Sequence, residues 1–297
     1  MSSFEIYVSH STVFGGFENL IEQADYVVLG VPFDLTSTYR TGARFAPSAI
    51  REASLNIETY SFRSNLDLED LKIHDLGDLH ISHSVEISLK RLEACVDDLL
   101  KTEKTPVLIG GEHTITLGAM CGVGGEDTAV ISLDAHLDLR NEYMGLTTSH
   151  TTFMRRLNEQ VKPARIVEVG VRAVCREELD YAKEQGIEYF TTKYMRQIGL
   201  GATTRAIKDV VRNCRRIYLS IDMDVLDPAF APAVQNPEPD GLSIQEVLDL
   251  LFDCCDRRVV GLDLVEVAPS YDRGVTAVQA AKVLLEALCR IEKDRET

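Results

Sequence analysis

With 297 residues, 45% of them hydrophobic, the chain has enough apolar material for one large α/β domain or two ordinary ones, and its composition is neither disordered nor fibrous. Its 31 Lys and Arg against 47 Asp and Glu leave a formal net charge of −16, which opposes nucleic acid and anionic membrane as general partners and weakly favours a cationic one. The opening MSSFEIYVSHST lacks the basic start and apolar run of a secretory signal, and no stretch approaches the roughly 18 apolar residues of a membrane span, so a cytoplasmic protein is expected.

In chain order, strands are predicted at 26–31 (YVVLGV) and 72–76, followed by a helix over 84–103. Strands at 106–110 (PVLIG), 129–133 (AVISL) and 165–171 (RIVEVGV) come next, then helices at 175–185 and 202–213. A strand at 216–221 (RIYLSI), a helix over 243–256, a strand at 259–267 and a helix over 275–293 complete the series. Several strand runs are apolar throughout rather than alternating, as parallel strands covered on both faces are, so three layers, helix, sheet and helix, are predicted. Ser243 and Glu246 in SIQE have the spacing of a capping box. The C-terminal run is apolar around much of its girth and is expected deep against the sheet. With no Pro/Gly/Ser linker and no repeat, residues 1–297 read as a single domain. The seven cysteines form no CxxC pair and are expected as reduced thiols without a metal or catalytic role.

Ligand-type residues gather at the carboxyl ends of three of these strands, where open α/β sheets place their ligands. Asp134, His136 and Asp138 follow AVISL, Asp222 and Asp224 end RIYLSI, and Gly110-Gly111-Glu112-His113 follows PVLIG. Residues two apart in an extended chain share a face about 6–7 Å from each other, so each cluster aims its polar groups together. A lone DxD more often caps a helix, and a lone histidine is more often a core residue; three such clusters on one rim are another matter. Four aspartates and two histidines in one crevice would repel and lose hydration, a cost that two divalent cations remove. Carboxylate and imidazole donors without thiolate favour Mn²⁺, and six ligands suit a pair of ions about 3.5–4 Å apart that hold a nucleophilic hydroxide.

These residues resemble the ureohydrolase family of arginases and agmatinases, through Gly-Gly-Glu-His at 110–113, Asp-Ala-His-Leu-Asp at 134–138, Ser-Ile-Asp-Met-Asp-Val-Leu-Asp-Pro at 220–228 and Asp-Leu-Val-Glu-Val-Ala-Pro at 263–269. The entry segment 38–47 is most like agmatinases. The resemblance implies an arginase-like fold with about eight mostly parallel strands and homo-oligomers, trimers or hexamers. It implies one manganese on His113, Asp134, Asp138 and Asp222 and a second on Asp134, His136, Asp222 and Asp224. His150 would shuttle protons and Glu266 would receive the guanidinium, with Asp138 relaying a proton to the leaving amine. The expected activity is hydrolysis of agmatine to putrescine and urea.

A guanidinium is planar and permanently charged, so a carboxylate can grip it with paired hydrogen bonds. Thr151, where a glycine usually follows the shuttle histidine, and the 233–241 stretch AVQNPEPDG depart from the family pattern and leave the substrate open among agmatine, guanidinobutyrate, arginine and formiminoglutamate. Arg140, Asn141, Glu142 and Tyr143 are candidates for the distal half of the ligand. A partner subunit without activity is the competing class, and a zinc deacetylase is disfavoured because the Asp-rich set would overfill one zinc site. His10, His74, His80 and His83 are read as structural or solvated.

Overall fold

The computed structural model describes residues 2–9, 12–17 and 19–296, the side chains of Phe4 and Glu296 excepted. Its strands are β1 Val8–Ser9, β2 Tyr26–Val31, β3 Tyr60–Ser61, β4 Leu66–Asp67, β5 Ile73–Leu79, β6 Thr105–Gly110, β7 Thr128–Leu133, β8 Arg165–Val171, β9 Glu188–Thr191, β10 Arg216–Asp222 and β11 Val259–Val265. The helices are α1 Ser3–Tyr7, α2 Ala46–Ser54, α3 Val85–Lys101, α4 Ile115–Val123, α5 Phe153–Gln160, α6 Arg176–Gln185, α7 Thr192–Ile198, α8 Leu200–Val211, α9 Ile244–Cys254 and α10 Val275–Glu296. Nine strands form one sheet in the order β1-β5-β2-β6-β11-β10-β7-β8-β9, parallel except where β1 runs against β5. The two C-terminal strands are thus inserted between β6 and β7 at the centre.

The expected three layers are present. Strand residues of one parity, among them Val28, Ile109, Ile131 and Leu219, pack under α2, α7, α8, α9 and α10. Those of the other parity, among them Leu29, Leu108, Val130 and Tyr218, pack under α3, α4, α5 and α6. Both faces are covered, which is why the central strands read as unbroken apolar runs. In α10, Leu284, Leu285, Leu288 and Ile291 are fully buried, each worth about 1.5–3 kcal/mol over exposure. Ser243 and Glu246 form the expected capping box at the start of α9.

Differences from the sequence reading have local causes. The sheet gains β1 and β9, both short and at edges, and a small β3–β4 hairpin lies outside it. The strand predicted at 259–267 ends at Val265, because Glu266 turns into the left-handed region at φ +67°. Helix α4 carries the sequence ITLGAMCGV and is buried on nearly every side, so it has no polar face to reveal a helical period. All seven cysteines are free thiols. His74 Nδ1 meets the Asn19 carbonyl at 2.7 Å, His80 and His83 are exposed, and His10 lies outside the described residues. Among the described residues no helix is long and apolar enough to cross a membrane.

Arg51 of α2 fastens that helix to the β5 end of the sheet. Its side chain is fully buried; Nε and Nη2 donate to Asp75 at 2.8 and 2.9 Å, Nη2 also to the Gly77 carbonyl, and Nη1 to Asp78. Gly30 on β2 makes room: a Cβ there would lie 1.9 Å from Asp78 Oδ1. Arg51→Ala is expected to cost about 3–5 kcal/mol, because two carboxylates lose their partner in a buried place. Lysine should not restore the loss, since one ammonium cannot reproduce the fork. Urea unfolding midpoints of the three proteins check this, with a shift under about 1 kcal/mol for either variant counting against it.

Candidate metal centre and cavity

Six of the singled-out side chains meet at the carboxyl ends of β6, β7 and β10. Each of three aspartates has one oxygen occupied by backbone. Asp134 Oδ1 accepts from His136 N–H at 2.6 Å, Asp222 Oδ1 from Asp224 N–H at 2.7 Å, and Asp224 Oδ1 from Ala135 N–H at 3.0 Å. Their remaining oxygens converge on the imidazoles. His113 Nδ1 lies 3.0 Å from Asp134 Oδ2 and 3.1 Å from Asp222 Oδ2, and His136 Nδ1 lies 2.9 Å from Asp224 Oδ2.

Donor atoms close enough to share an ion fall into two sets, His113, Asp134 and Asp222, and Asp134, His136 and Asp224. Asp134 belongs to both. Asp222 belongs to the first set only, and Asp138 stands beside it with Oδ2 3.6 Å from His113 Nδ1.

A second layer fixes His113. Its Nε2 lies 2.8 Å from Ser220 Oγ, and that hydroxyl donates to Asp263 Oδ1 at 2.6 Å. Ser220 therefore accepts from Nε2–H, which leaves the Nδ1 lone pair facing two carboxylates. Nδ1 is buried and has no hydrogen-bond partner. A lone pair and two carboxylate oxygens at about 3 Å need a positive charge among them, a proton on Nδ1 or a metal ion, and the donor set fits the metal ion. Titration follows the same geometry. Burial opposes charge on His113, but Asp134 and Asp222 outweigh it and raise its pKa well above the usual histidine value. Burial and neighbouring carboxylates raise Asp138 and Asp222.

Glu266 closes the inner end of the site. Held at φ +67° by a hydrogen bond from its N–H to the Gly111 carbonyl at 2.8 Å, it pays roughly 1–3 kcal/mol of backbone strain to turn its side chain inward. Glu266 Oε1 accepts from His113 N–H at 2.7 Å, and Oε2 is buried without a partner. Asp138 carries the same strain at φ +51°. The glycines of 110–113 serve close approach rather than an unusual turn: a Cβ on Gly111 would lie 1.8 Å from the Phe33 carbonyl oxygen.

His150 is held on three sides. Its Nε2 lies 3.0 Å from Thr38 Oγ1, its Nδ1 3.4 Å from Asn236 Nδ2 and 3.7 Å from Glu266 Oε1, and its N–H donates to Thr36 Oγ1 at 3.1 Å. It does not cap the following helix, which starts at Phe153 after Thr152. Burial, then the nearby His136 and His113, push its imidazole down to about 4. The ring is thus neutral at physiological pH, rather than poised near neutrality as a solvated histidine would be.

Of these groups His136, Asp138, His150, Asp222, Asp224 and Glu266 line a cavity of about 450 Å³, and His113 and Asp134 do not. Of the distal candidates, Arg140 and Tyr143 line it, with the guanidinium 4.9 Å from the ring centroid. Asn141 and Glu142 are exposed and do not. Sequence reading missed Glu238, Arg172 and Asn236 on the wall. Arg172 directly follows β8, so its strand-end position was a usable signal. Its guanidinium is spent on backbone carbonyls of Gly170, Asp224, Leu226 and Glu238, which fixes the 233–241 segment over the site.

A model of the arginase family matches residues 24–289. An agmatinase of Halalkalibacterium halodurans is 37% identical over 274 residues, which cover 90% of this chain and 92% of that protein. The solved agmatine ureohydrolase of Thermoplasma volcanium superposes with a TM-score of 0.90 at 36% identity, covering 97% of each chain. Proclavaminate amidinohydrolase from Streptomyces clavuligerus superposes with a TM-score of 0.88 at 31% identity, covering 97% of this chain and 99% of that one.

Folding lowers the pKa of His150 from the histidine norm of 6.5 to about 4, so the fold favours the neutral ring. That contribution is complete above pH 6.5 and is lost as pH falls from there toward 4, up to about 3 kcal/mol. His150→Asn should therefore lose less stability between pH 7 and pH 5 than the parent, read by urea denaturation at each pH. Equal losses in the two proteins would refute the assigned burial effect.

Proposed function

The chain belongs to the arginase family, hydrolases that act on C–N bonds of amidines, and on that premise we propose that it is a binuclear manganese enzyme that hydrolyses agmatine to putrescine and urea. The observation that carries the proposal is Glu266 Oε2, a buried carboxylate oxygen with no partner, on a residue lining a cavity that His136, Asp222 and Asp224 of the two donor sets also line. A planar cation satisfies it, and a guanidinium offers the paired N–H groups to do so.

His113, Asp134, Asp138 and Asp222 would hold one ion, and His136 and Asp224, with Asp134 and Asp222 shared, the other. Imidazole and carboxylate donors without thiolate suit manganese. When bound, such ions supply a water acidic enough to serve as nucleophile at neutral pH. The protein's own groups do the rest. Glu266 holds the guanidinium and orients its central carbon toward the donor cluster, and such positioning accounts for part of the acceleration. Asp138 takes up the proton that the attacking water releases and passes it to the departing amine nitrogen. His150, neutral and bonded to Thr38, takes up and returns protons between that carboxyl and the cavity mouth.

A cationic tail suits the wall. Glu178 spends both oxygens on the backbone N–H groups of Leu139 and Cys175, whereas the partly exposed Glu238 carboxylate has His136 Nε2 4.0 Å away and faces the cavity. Arg140 favours a second reading, in which a guanidino acid pairs its carboxylate with that guanidinium. Residues 1–297 then act as one ureohydrolase domain.

Manganese-loaded protein is expected to release urea from agmatine faster than from guanidinobutyrate or arginine, and to stop on chelation. No urea from any of the three, with two manganese bound, would sink the proposal; preference for guanidinobutyrate would select the second reading. Glu266→Gln should lower kcat/KM at least tenfold, since one charge-assisted bond is worth about 1.5–3 kcal/mol. Steady-state kinetics within threefold of the parent would remove Glu266 from this role.

A further inference from the structure

Glu112 is fully buried between Gly111 and His113, and no step above uses it. Its carboxylate does not point toward the donor cluster. Oε1 accepts from Thr36 N–H at 2.6 Å, and Oε2 accepts from Thr36 Oγ1 and from Thr114 Oγ1 at 3.3 Å; Ser37 Oγ, 3.1 Å from Oε1, gives its one proton to Asp34 Oδ1 at 2.6 Å. The loop after β2 is therefore bound to the end of β6 by this side chain, beside the backbone bonds from Gly111 N–H to Val31 and from Glu112 N–H to Phe33.

That loop is where His150 is held. Thr36 Oγ1 gives its proton to Glu112, which leaves its lone pairs to receive the His150 N–H at 3.1 Å. Two residues on, Thr38 Oγ1 meets His150 Nε2 at 3.0 Å. Backbone N–H and ring Nε2 of the histidine are thus both met by one short segment, which Glu112 holds at Thr36.

The opposite wall is tied to the same segment. Gln235 Nε2 donates to Ser37 Oγ and to the Arg40 carbonyl at 2.9 Å, and its N–H donates to the Glu266 carbonyl at 3.1 Å. The adjacent Asn236 offers Nδ2 to His150 Nδ1 at 3.4 Å. An amide donor on Nδ1 leaves the ring proton on Nε2, where Thr38 accepts it. The ring is then fixed in orientation and tautomer with Nδ1 turned toward Glu266.

We propose that Glu112 is a positioning residue for proton transfer, acting through Thr36 and the 36–38 segment to hold the His150 imidazole in one orientation beside Glu266. The role rests on the assignment of His150 above, and a spectroscopic readout separates the two. The variants are Glu112→Gln, which removes an acceptor oxygen at nearly constant shape, Thr36→Val, which removes the hydroxyl link, and Thr36→Ser, which restores it.

Each full-length variant is loaded with manganese for steady-state urea release across pH, and bound metal is measured. Histidine ¹⁵N spectra are recorded on the metal-free proteins. Glu112→Gln and Thr36→Val should lower kcat at least fivefold, displace its pH profile, and leave KM and bound metal within twofold. Thr36→Ser should recover most of kcat. The His150 ring resonances should move in the first two variants and not in the third. Unchanged kcat and unchanged His150 resonances would overturn the proposal, as would a loss of kcat that merely tracks lost metal, since Glu112 would then only support His113. If the parent releases urea from no guanidino compound, the hydrolase reading fails, and the His150 resonances still decide whether Glu112 sets the ring.

Discussion

The oxygens of Asp134, Asp222 and Asp224 that the backbone leaves free all face the Nδ1 atoms of His113 and His136, and the negative charge gathered there is what the rest of the structure must sustain. Such a grouping in a buried place persists only when cations offset it or when every other atom around it is satisfied. The protein uses the second means extensively. One oxygen of each aspartate is tied to a backbone N–H, and His113 Nε2 is tied through Ser220 to Asp263. Atoms without such a partner, His113 Nδ1 and Glu266 Oε2, are then the ones turned toward a ligand. Among the groups of the donor cluster and Glu266, the satisfied atoms hold the scaffold and the unsatisfied ones face the reaction space.

Polar groups continue from the cluster into the sheet. Asp263, Ser220, Ser132 and Glu168 lie in register across β11, β10, β7 and β8, all buried. At one end Asp263 receives Tyr218, Thr116 and Ser220 hydroxyls, each at 2.6–2.8 Å. At the other end Ser132 Oγ and both oxygens of Glu168 have no hydrogen-bond partner, and burial raises the Glu168 carboxyl well above its usual range. A polar row through an otherwise apolar layer supports His113 from below, at the cost of a core that packs less simply there.

Residues at strand ends were the most legible part of the sequence, because a strand fixes both direction and spacing. AVISL delivers Asp134, His136 and Asp138 to one rim whatever the neighbouring loops do, and RIYLSI does the same for Asp222 and Asp224. What a loop contributes by contact with another loop left no comparable trace. Glu238, between two prolines of the 233–241 stretch, reaches the cavity wall only because Arg172 gathers the carbonyls around it. Helix α4 was hidden by complete burial, and β9, with Glu188 and Tyr189 exposed, by its brevity and polar edge. The left-handed conformations of Asp138 and Glu266 were hidden as well, since nothing in the flanking sequence marks their positive φ.

The insertion of β10 and β11 between β6 and β7 sets an order of assembly. During synthesis the segments with His113, Asp134, His136 and Asp138 emerge long before Asp222, Asp224 and Glu266. β7 waits for β10, complete at Asp222, and β6 for β11, complete at Val265, before each has the neighbour it pairs with at the centre of the finished sheet. A partial chain therefore exposes two apolar strand edges next to a half-complete acidic cluster, a state open to mispairing and to capture of the wrong ion. Closure of the sheet by its last third removes the edges and brings the two halves of the acidic cluster together, so the donor groups are complete only at the end of folding.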